Sequence, residues 1–400
     1  MQNAQTLSFE NLIIKPSNHI DNYQKLNRIG EGAYGIVYRA KHKTTNKICA
    51  IKRLKAKESD EIGFPLYSLR EIHLLAKLTH KNIVKLYEIL AGNEYDQVFM
   101  AMEYCEQDLG SLVDYLDNPF SSSEIKCLME QLLEGILYFH RHDIIHRDLK
   151  LSNILLNSKG VLKIADLGLA RIFFDNTELT PGVITLWYRA PEILFGSTSY
   201  TSAIDMWSIG CIFAELMCHK PFMPGSTQIE QIRLIINSIG SFSKDESEYY
   251  SRQNSIKNII PFISHESLDL LYGLFDYIPE TRITAKNALN HKYFDEIPKA
   301  TRICDFPRFP EIRNKNFYNS VENNINQGHD HIKDLKVLNL DSSGLLENSD
   351  KNTPIQSIKS KKNISKNIKS YEFEFEFDVH DLIDNDKTGK PKKKSKKGHN

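Results

Sequence analysis

The spacing of apolar positions along the chain changes character once. Between Tyr23 and about Val98, apolar and polar residues alternate over short runs, KLNRIG, GIVYRAKH and KICAIKRLK, which predicts β-strands. One segment within this stretch, residues 66–79, has helical spacing instead. From Leu109 to Phe294 helical patterns dominate, as in SSEIKCLMEQLLEGILYFHRH, which a serine cluster opens and can cap. The stretch AIDMWSIGCIFAELMC (203–218) is apolar almost all round and predicts a buried helix, because it holds Asp205 and Glu215 and is too short to span a bilayer. A strand-rich small part followed by a larger helical part is an α+β, bilobal arrangement.

The helix near 66–79 carries apolar residues on two faces. Pro65 suits its first turn, where a missing N–H costs nothing. At about 100° per residue, Glu71, Leu74, Leu75 and Leu78 share one face. Leu66, Leu69, Ile72 and Ala76 gather on the other, which in a lone chain is expected to meet water. Either flanking strands and loops cover this second face, or a partner does. Burying one such leucine contributes about 1.5–3 kcal/mol, enough for a partner covering several to fix the helix position.

Composition narrows the classes. Lysine plus arginine and aspartate plus glutamate both number 51, so charge suggests neither nucleic acid nor membrane as a partner. Six cysteines, at 49, 105, 127, 211, 218 and 304, show no CxxC spacing, which is a reduced, intracellular pattern. The start, MQNAQTLSFENLIIKPSNH, has no basic segment followed by an apolar block, so no signal peptide is read.

Chemistry concentrates at three places. Gly30-Glu31-Gly32-Ala33-Tyr34-Gly35 is a glycine-rich turn between two strand-like runs, where backbone can approach phosphates closely. A dinucleotide-binding turn would lead into a helix, whereas GIVYRAKH is strand-like. Ala50-Ile51-Lys52 then puts an amine on the following strand, either as a solvated lysine or within reach of a nucleotide. The third place is His146-Arg147-Asp148-Leu149-Lys150-Leu151-Ser152-Asn153, followed by Asp166-Leu167-Gly168. That octet, in that order after a helix, is not a chance pattern.

On these residues the sequence resembles the eukaryotic protein kinases. The resemblance implies the bilobal kinase fold, ATP as phosphate donor and Mg2+ as cofactor. Asp148 would accept or orient the proton of the substrate hydroxyl, and Lys150 would sit near the transferred phosphate. Asn153 and Asp166 would hold magnesium, for which hard oxygen ligands are suited. Lys52 would pair with Glu71 and grip the α- and β-phosphates. ATP would lie against Ile29, Gly30, Glu31, Gly32, Ala33, Tyr34, Gly35 and Val37, beside Ala50 and Lys52. Met102 would be the gatekeeper and Glu103, Tyr104 and Cys105 the adenine-binding hinge, with Asp108 just beyond. Leu167 stands where the family usually has Phe, and keeps that core position apolar.

Within the kinases, TLWYRAPE resembles the group of cyclin-dependent and mitogen-activated kinases. A mitogen-activated kinase would show Thr-x-Tyr at the activation site, and this chain has Thr180-Pro181-Gly182. KLNRIGEG, GFPLYSLREI, EYCEQDLGSL, TPGVITLWYRAPEIL and SAIDMW are similar to the cyclin-dependent kinases, in the branch of kinases ten and eleven, with the lean toward ten. The resemblance implies that Trp187 and Arg189 shape a pocket favouring proline after the phosphorylated Ser or Thr. Thr180 would be the activating phosphosite and Arg70, Arg147 and Arg171 its receivers. Tyr34 is either an inhibitory phosphosite or structural, since Ala33 replaces a neighbouring Thr of many relatives. Leu66, Leu69 and Ile72 would contact a cyclin, M-like or L-like. Glu192 and Arg282 match a buried ion pair that braces the large lobe.

The implied layout is a polar extension at 1–22, a kinase domain at 23–294 and a further extension at 295–315 packing on or near it. The domain divides into a small lobe (23–102), a hinge (103–106) and a large lobe (107–294). FPEIRNK (309–315) also fits the branch, whereas the likeness weakens between Gly240 and Pro279. Residues 316–400 are rich in Asn, Lys, Ser and Asp and are expected to be disordered. In that tail KPKKKSKK (390–397) is either a solvated charged run or a nuclear localisation signal, and YEFEFEFD (371–378) is either an unstructured segment or a strand added to a partner. The functional reading is a Ser/Thr kinase that needs a cyclin and acts on Ser-Pro or Thr-Pro in proteins of the nucleus or cytoplasm, regulating cell cycle or transcription. The alternatives are a kinase activated by Thr180 phosphorylation alone and a cyclin-binding scaffold with dispensable activity.

Overall fold

The computed structural model describes residues 18–32, 35–54, 66–93, 97–173, 185–198, 201–240 and 256–311. The alternating segments form one six-stranded sheet of β1 (Asn18–His19), β2 (Tyr23–Gly32), β3 (Gly35–His42), β4 (Ile48–Leu54), β5 (Leu86–Ala91) and β6 (Val98–Glu103). Its order is β1-β5-β6-β4-β3-β2, antiparallel except where β1 joins β5. The register lines up Val37, Lys52 and Met100 on three adjacent strands. β2 has a bulge between Arg28 and Gly30, immediately before the glycine turn.

The sheet begins earlier than the sequence suggests. Asn18 and His19, assigned above to a polar extension, belong to it: β1 pairs with Leu90 and Ala91, a 3-10 turn at Ile20–Asn22 leads into β2, and Asn18 and Tyr23 both donate to the Glu88 carboxylate. A two-residue strand is too short to show alternation, so its pattern is invisible in the sequence.

Helix α1 (Leu66–Lys77) shares a core cluster with Leu54 and Met100 of the sheet. It stops two residues short of the expected 79, although Leu78 N–H still bonds to Leu74 O at 3.0 Å. Its inward residues Leu74, Leu75 and Leu78 are buried in the same core cluster as Leu149, Leu167 and Trp207 of the large lobe. The opposite face of the sheet closes over a separate small cluster around Tyr23, Cys49, Ile51, Leu90 and Phe99.

The large lobe starts with β7 (Gln107–Asp108), α2 (Leu109–Tyr115) and α3 (Ser122–Arg141). Ser121 and Glu124 form a capping box at the start of α3, with Glu124 accepting from Ser121 N–H at 2.7 Å, a device contributing about 1 kcal/mol. Short strands β8 (Ile144–Ile145), β9 (Ile154–Leu156), β10 (Leu162–Ile164) and β11 (Arg171–Ile172) carry the loops that face the small lobe. Beyond them come α4 (Pro191–Leu194), α5 (Ala203–Cys218), α6 (Gln228–Ile239), α7 (His265–Leu274) and α8 (Ala285–Leu289).

Helix α5 is the centre of this lobe, buried at every position from Ala203 to Leu216. Trp207 meets Phe275 edge-on at 5.0 Å and carries the Arg282 guanidinium at 5.2 Å from its ring. Arg282 in turn holds Glu192 through two bonds of 2.8 and 3.0 Å. Farther along α5, the Glu215 carboxylate accepts from the Tyr188 hydroxyl at 2.7 Å and from Phe222 N–H at 3.4 Å. Burial pushes the Glu215 carboxyl up to about 7, against those two hydrogen bonds.

This carboxyl makes stability depend on pH. Its folded value lies above the ordinary 4.5, so between the two the folded chain binds the extra proton and stability falls as pH rises through that window. Between about pH 5 and about pH 8 the native chain should lose on the order of 3 kcal/mol relative to Glu215→Gln, read as the difference in urea unfolding free energies. Parallel pH profiles for the two proteins would refute the assignment.

Candidate active site

The register of the sheet puts Lys52 on the face opposite the cluster around Cys49 and Ile51, and α1 brings Glu71 to it. Lys52 Nζ lies 2.7 Å from both Glu71 carboxylate oxygens and 3.5 Å from Asp166 Oδ1. Burial works against the Lys52 charge, but Glu71 first and Asp166 second outweigh it and raise the ammonium above its ordinary value. A cation is therefore held where three chain segments meet.

The loop after β8 is shaped by α5. His146 N–H and Arg147 N–H both donate to the Asp205 carboxylate, at 2.9 and 3.0 Å, and His140 Nε2 faces it at 3.0 Å. Directing two consecutive amides at one buried carboxylate bends the chain, and Arg147 takes φ +68°, a left-handed conformation uncommon for a side-chain-bearing residue. Burial alone would raise the Asp205 carboxyl, but the His140 hydrogen bond and the His140 and His146 charges hold it below the usual carboxylate range. Arg147 Nε then reaches Leu169 O at 2.7 Å, tying this loop to the turn that follows Asp166.

Asp148 sits in the cradle so formed. Its Oδ2 accepts from Lys150 Nζ at 2.8 Å and Asn153 Nδ2 at 3.1 Å, and its Oδ1 accepts from the Thr185 hydroxyl at 2.7 Å. Lys150 Nζ also donates to Thr185 Oγ1 at 3.2 Å. A carboxylate so oriented, with an ammonium beside it, can take a proton from a hydroxyl and steady an anionic group in transfer.

Asp166 has φ +63°, and Leu167 behind it is fully buried in the main core, where its turn packs against α1. The apolar residue that replaces the family's Phe thus keeps the core contact. Asn153 spends its Nδ2 on Asp148, which leaves its Oδ1 as an acceptor, and the buried Asp166 Oδ1 has the Lys52 ammonium 3.5 Å away as its ion-pair partner. This pair of hard oxygen donors fits a divalent cation such as magnesium.

At the hinge, Met102 pairs in register with Ala50, and both are buried. Glu103 Oε2 meets Lys163 Nζ at 2.7 Å, the Tyr104 ring lies under Arg39 at 5.5 Å, and Cys105 is buried. Asp108 caps α2, accepting from Ser111 N–H at 2.8 Å and Ser111 Oγ at 2.9 Å. Of the glycine turn, Ile29 and Val37 are half-buried, Gly30 and Glu31 are exposed, and Glu31 pairs with Arg28. Gly35 cannot be replaced cheaply, since a Cβ there would lie 2.3 Å from Arg53 O. Ala33, Tyr34 and Thr180, and the side chain of Leu66, lie outside the described residues, and of Gly32 only the backbone is described.

The three arginines expected to receive phosphate are in different settings. Arg147 is buried, whereas Arg70 and Arg171 are half-buried, Arg171 pairing in register with Ile145 just ahead of Arg147. Trp187 Nε1 donates to Gly225 O at 2.9 Å, Gln231 Nε2 donates to Trp187 O at 3.3 Å, and Arg189 is half-buried. One expectation needs correction. The second face of α1 is not bare in the single chain: Leu69 and Ile72 are half-buried and Ile72 packs on the main core. Ile72 is only about 100° round the helix from Glu71, so it borders the inward face. Ala76 is exposed.

Thr185, Lys163 and Gln231 were not singled out in the sequence. Thr185 lies two residues before Trp187 in a motif already noted, but only the fold brings its hydroxyl to Asp148.

The protein kinase domain family matches residues 23–294. Cyclin-dependent kinase 10 of Mus musculus is 46% identical over 311 residues, covering 74% of this chain and 86% of that protein. A probable cyclin-dependent kinase 10 of Dictyostelium discoideum is 41% identical over 327 residues, covering 76% of this chain and 89% of that protein. Cyclin-dependent kinase 11B of Homo sapiens is 43% identical over 306 residues, covering 73% of this chain and 38% of its own length. These likenesses fall in the branch that the motifs pointed to. With a bilobal α+β fold and an ordered cleft between its lobes, the chain belongs to the cyclin-dependent kinase family and is a serine/threonine protein kinase.

Proposed function

We propose that the chain works with a cyclin and transfers the γ-phosphate of ATP to Ser or Thr followed by Pro in protein substrates. The observation that carries this reading is the meeting of Lys52, Glu71 and Asp166 beneath a helix whose other side holds Leu69 at the surface, half-buried. Whatever seats α1 also seats the lysine, so a protein gripping that helix governs the cleft.

In this reading Lys52 draws the α- and β-phosphates into place while Glu71 fixes its direction. Asp148 orients the substrate hydroxyl and receives its proton, and Lys150 stands beside the phosphate in flight. Asn153 and Asp166 would hold magnesium, which supplies charge neutralisation on the phosphates when bound. Because phosphoryl transfer needs little covalent help, positioning and charge carry the catalysis. Trp187, held by Gly225 and Gln231, and the half-buried Arg189 beside it support the preference for proline. Phosphate on Thr180 would be received by Arg70, Arg147 and Arg171. The relatives' names support a cyclin partner, and the M-like or L-like kind follows the sequence branch. The basic run at 390–397 supports a nuclear address, with a role in cell cycle or transcription.

A second reading, a kinase activated by Thr180 phosphorylation alone, draws on Ile72, which packs on the kinase's own core and so helps hold α1 from within. Full activity of the phosphorylated monomer would select it.

Asp148→Asn should lower phosphate transfer to a Ser-Pro peptide at least about 100-fold in the complex purified from native cells, with ADP binding retained. Comparable activity of the variant would remove Asp148 from the chemistry. Leu69→Asp should abolish capture of the cyclin while the unfolding midpoint holds, since the new carboxylate would have to be buried at the contact. Unchanged capture would assign that face of α1 another purpose.

A further inference from the structure

The chain continues past the matched domain without leaving the large lobe. Lys126, almost wholly buried in α3, donates to Glu296 O at 2.9 Å and Pro298 O at 2.7 Å, and Thr301 N–H bonds to Ser123 O at 2.9 Å. After a turn at Ile303–Asp305, Phe306 is buried with its ring 6.4 Å from Phe120, and Phe309 meets Phe120 edge-on at 6.0 Å. The β9–β10 turn is shaped to seat this segment. Gly160 has φ +79°, and a Cβ there would lie 2.8 Å from both Ile303 O and Phe306 Cβ.

From that seat the segment reaches the hinge and then the other lobe. Pro310 O accepts from Gln107 Nε2, and Gln107 is buried in β7 directly after hinge residues 103–106. Glu311 Oε2 lies 3.9 Å from Arg39 Nη2 on β3, and the same guanidinium stands over the ring of hinge residue Tyr104. One stretch of chain is therefore rooted in the large lobe, bonded to the end of the hinge and paired with the small lobe.

We propose that residues 303–311 form a brace spanning the adenine-binding hinge, in which Gln107, Arg39 and Glu311 are positioning residues for nucleotide binding. ATP lies between the lobes and takes hydrogen bonds from hinge backbone, so each hinge torsion fixed beforehand lowers the ordering cost of binding. The Arg39–Glu311 pair, long and part-exposed, contributes little alone. The aromatic seat and the Gln107 bond supply the hold, and the pair joins the segment to the small lobe. The brace rests on the hinge being the adenine site, a reading that can fail separately.

The test uses the full chain, ADP with Mg2+ as probe, and two variants. Gln107→Ala/Glu311→Gln cuts both polar ends of the brace, and Phe309→Ala loosens its seat without touching the hinge. Each should raise the ADP Kd about three- to tenfold in titration calorimetry. Amide exchange should quicken at 303–311 and 103–107, while the nucleotide-free unfolding midpoint shifts by no more than about 4 °C. Freed exchange at 303–311 with ADP affinity within about twofold of the native chain would overturn the brace, as would slow exchange there in both variants. A purely structural segment would lower the midpoint and leave the affinity alone. A native chain that bound no ADP would overturn the adenine-site reading, and the brace with it.

Discussion

The contact between Lys52 and Glu71 is the one on which the rest of this structure depends. Each partner belongs to a different element, and each is nearly removed from water. Separating them would strand a buried charge, which costs far more than the pair gains by forming. The position of α1 is therefore close to all-or-none, since intermediate placements leave both charges dry and unpaired. Asp166, 3.5 Å from the same ammonium, extends this coupling to the large lobe, and Leu167 wedges the turn beneath α1.

The two lobes meet this demand in different ways. In the large lobe α5 is sunk in the core and offers polar groups upward: Asp205 bends the loop around Arg147, Ser208 Oγ bonds to Tyr188 O at 2.9 Å, and Glu215 takes the Tyr188 hydroxyl. These anchors are internal and permanent, so the loop bearing Asp148 is ready-made. In the small lobe the decisive carboxylate rides on a single helix, α1, whose Leu74, Leu75 and Leu78 are buried in the main core. The Lys52–Glu71 pair is formed in the single chain, so the lysine already has its partner.

Phosphoryl transfer asks for rigid placement and also for a cleft that opens to admit nucleotide. Helix α5 answers the first requirement. The hinge answers the second, and its neighbours limit its freedom: Lys163 holds Glu103, Arg39 stacks on Tyr104, and β7 pairs with β9. The C-terminal segment, which lies outside the matched domain, passes the same place and bonds to Gln107 and Arg39.

The sequence by itself determined the class of fold and named most of the side chains that the structure gathers around Lys52 and Asp148. Alternation marked the strands, GIVYRAKH among them to the residue, and the all-round apolar run 203–218 marked α5, because burial on every side leaves a pattern readable in one dimension. The octet from His146 to Asn153 was legible for a similar reason: its members are neighbours in the chain as well as in space. Other features join residues far apart, and no local pattern announces them. The hydroxyl of Thr185 on Asp148, Lys163 on Glu103, β1 beside β5 and Gln107 on Pro310 all depend on which surfaces pack together. The outer face of α1 shows the division most clearly. Periodicity revealed that it was apolar, and only the packing of α1 decided that Ile72 turns partly inward, because a boundary residue belongs to whichever surface the neighbouring lobe covers.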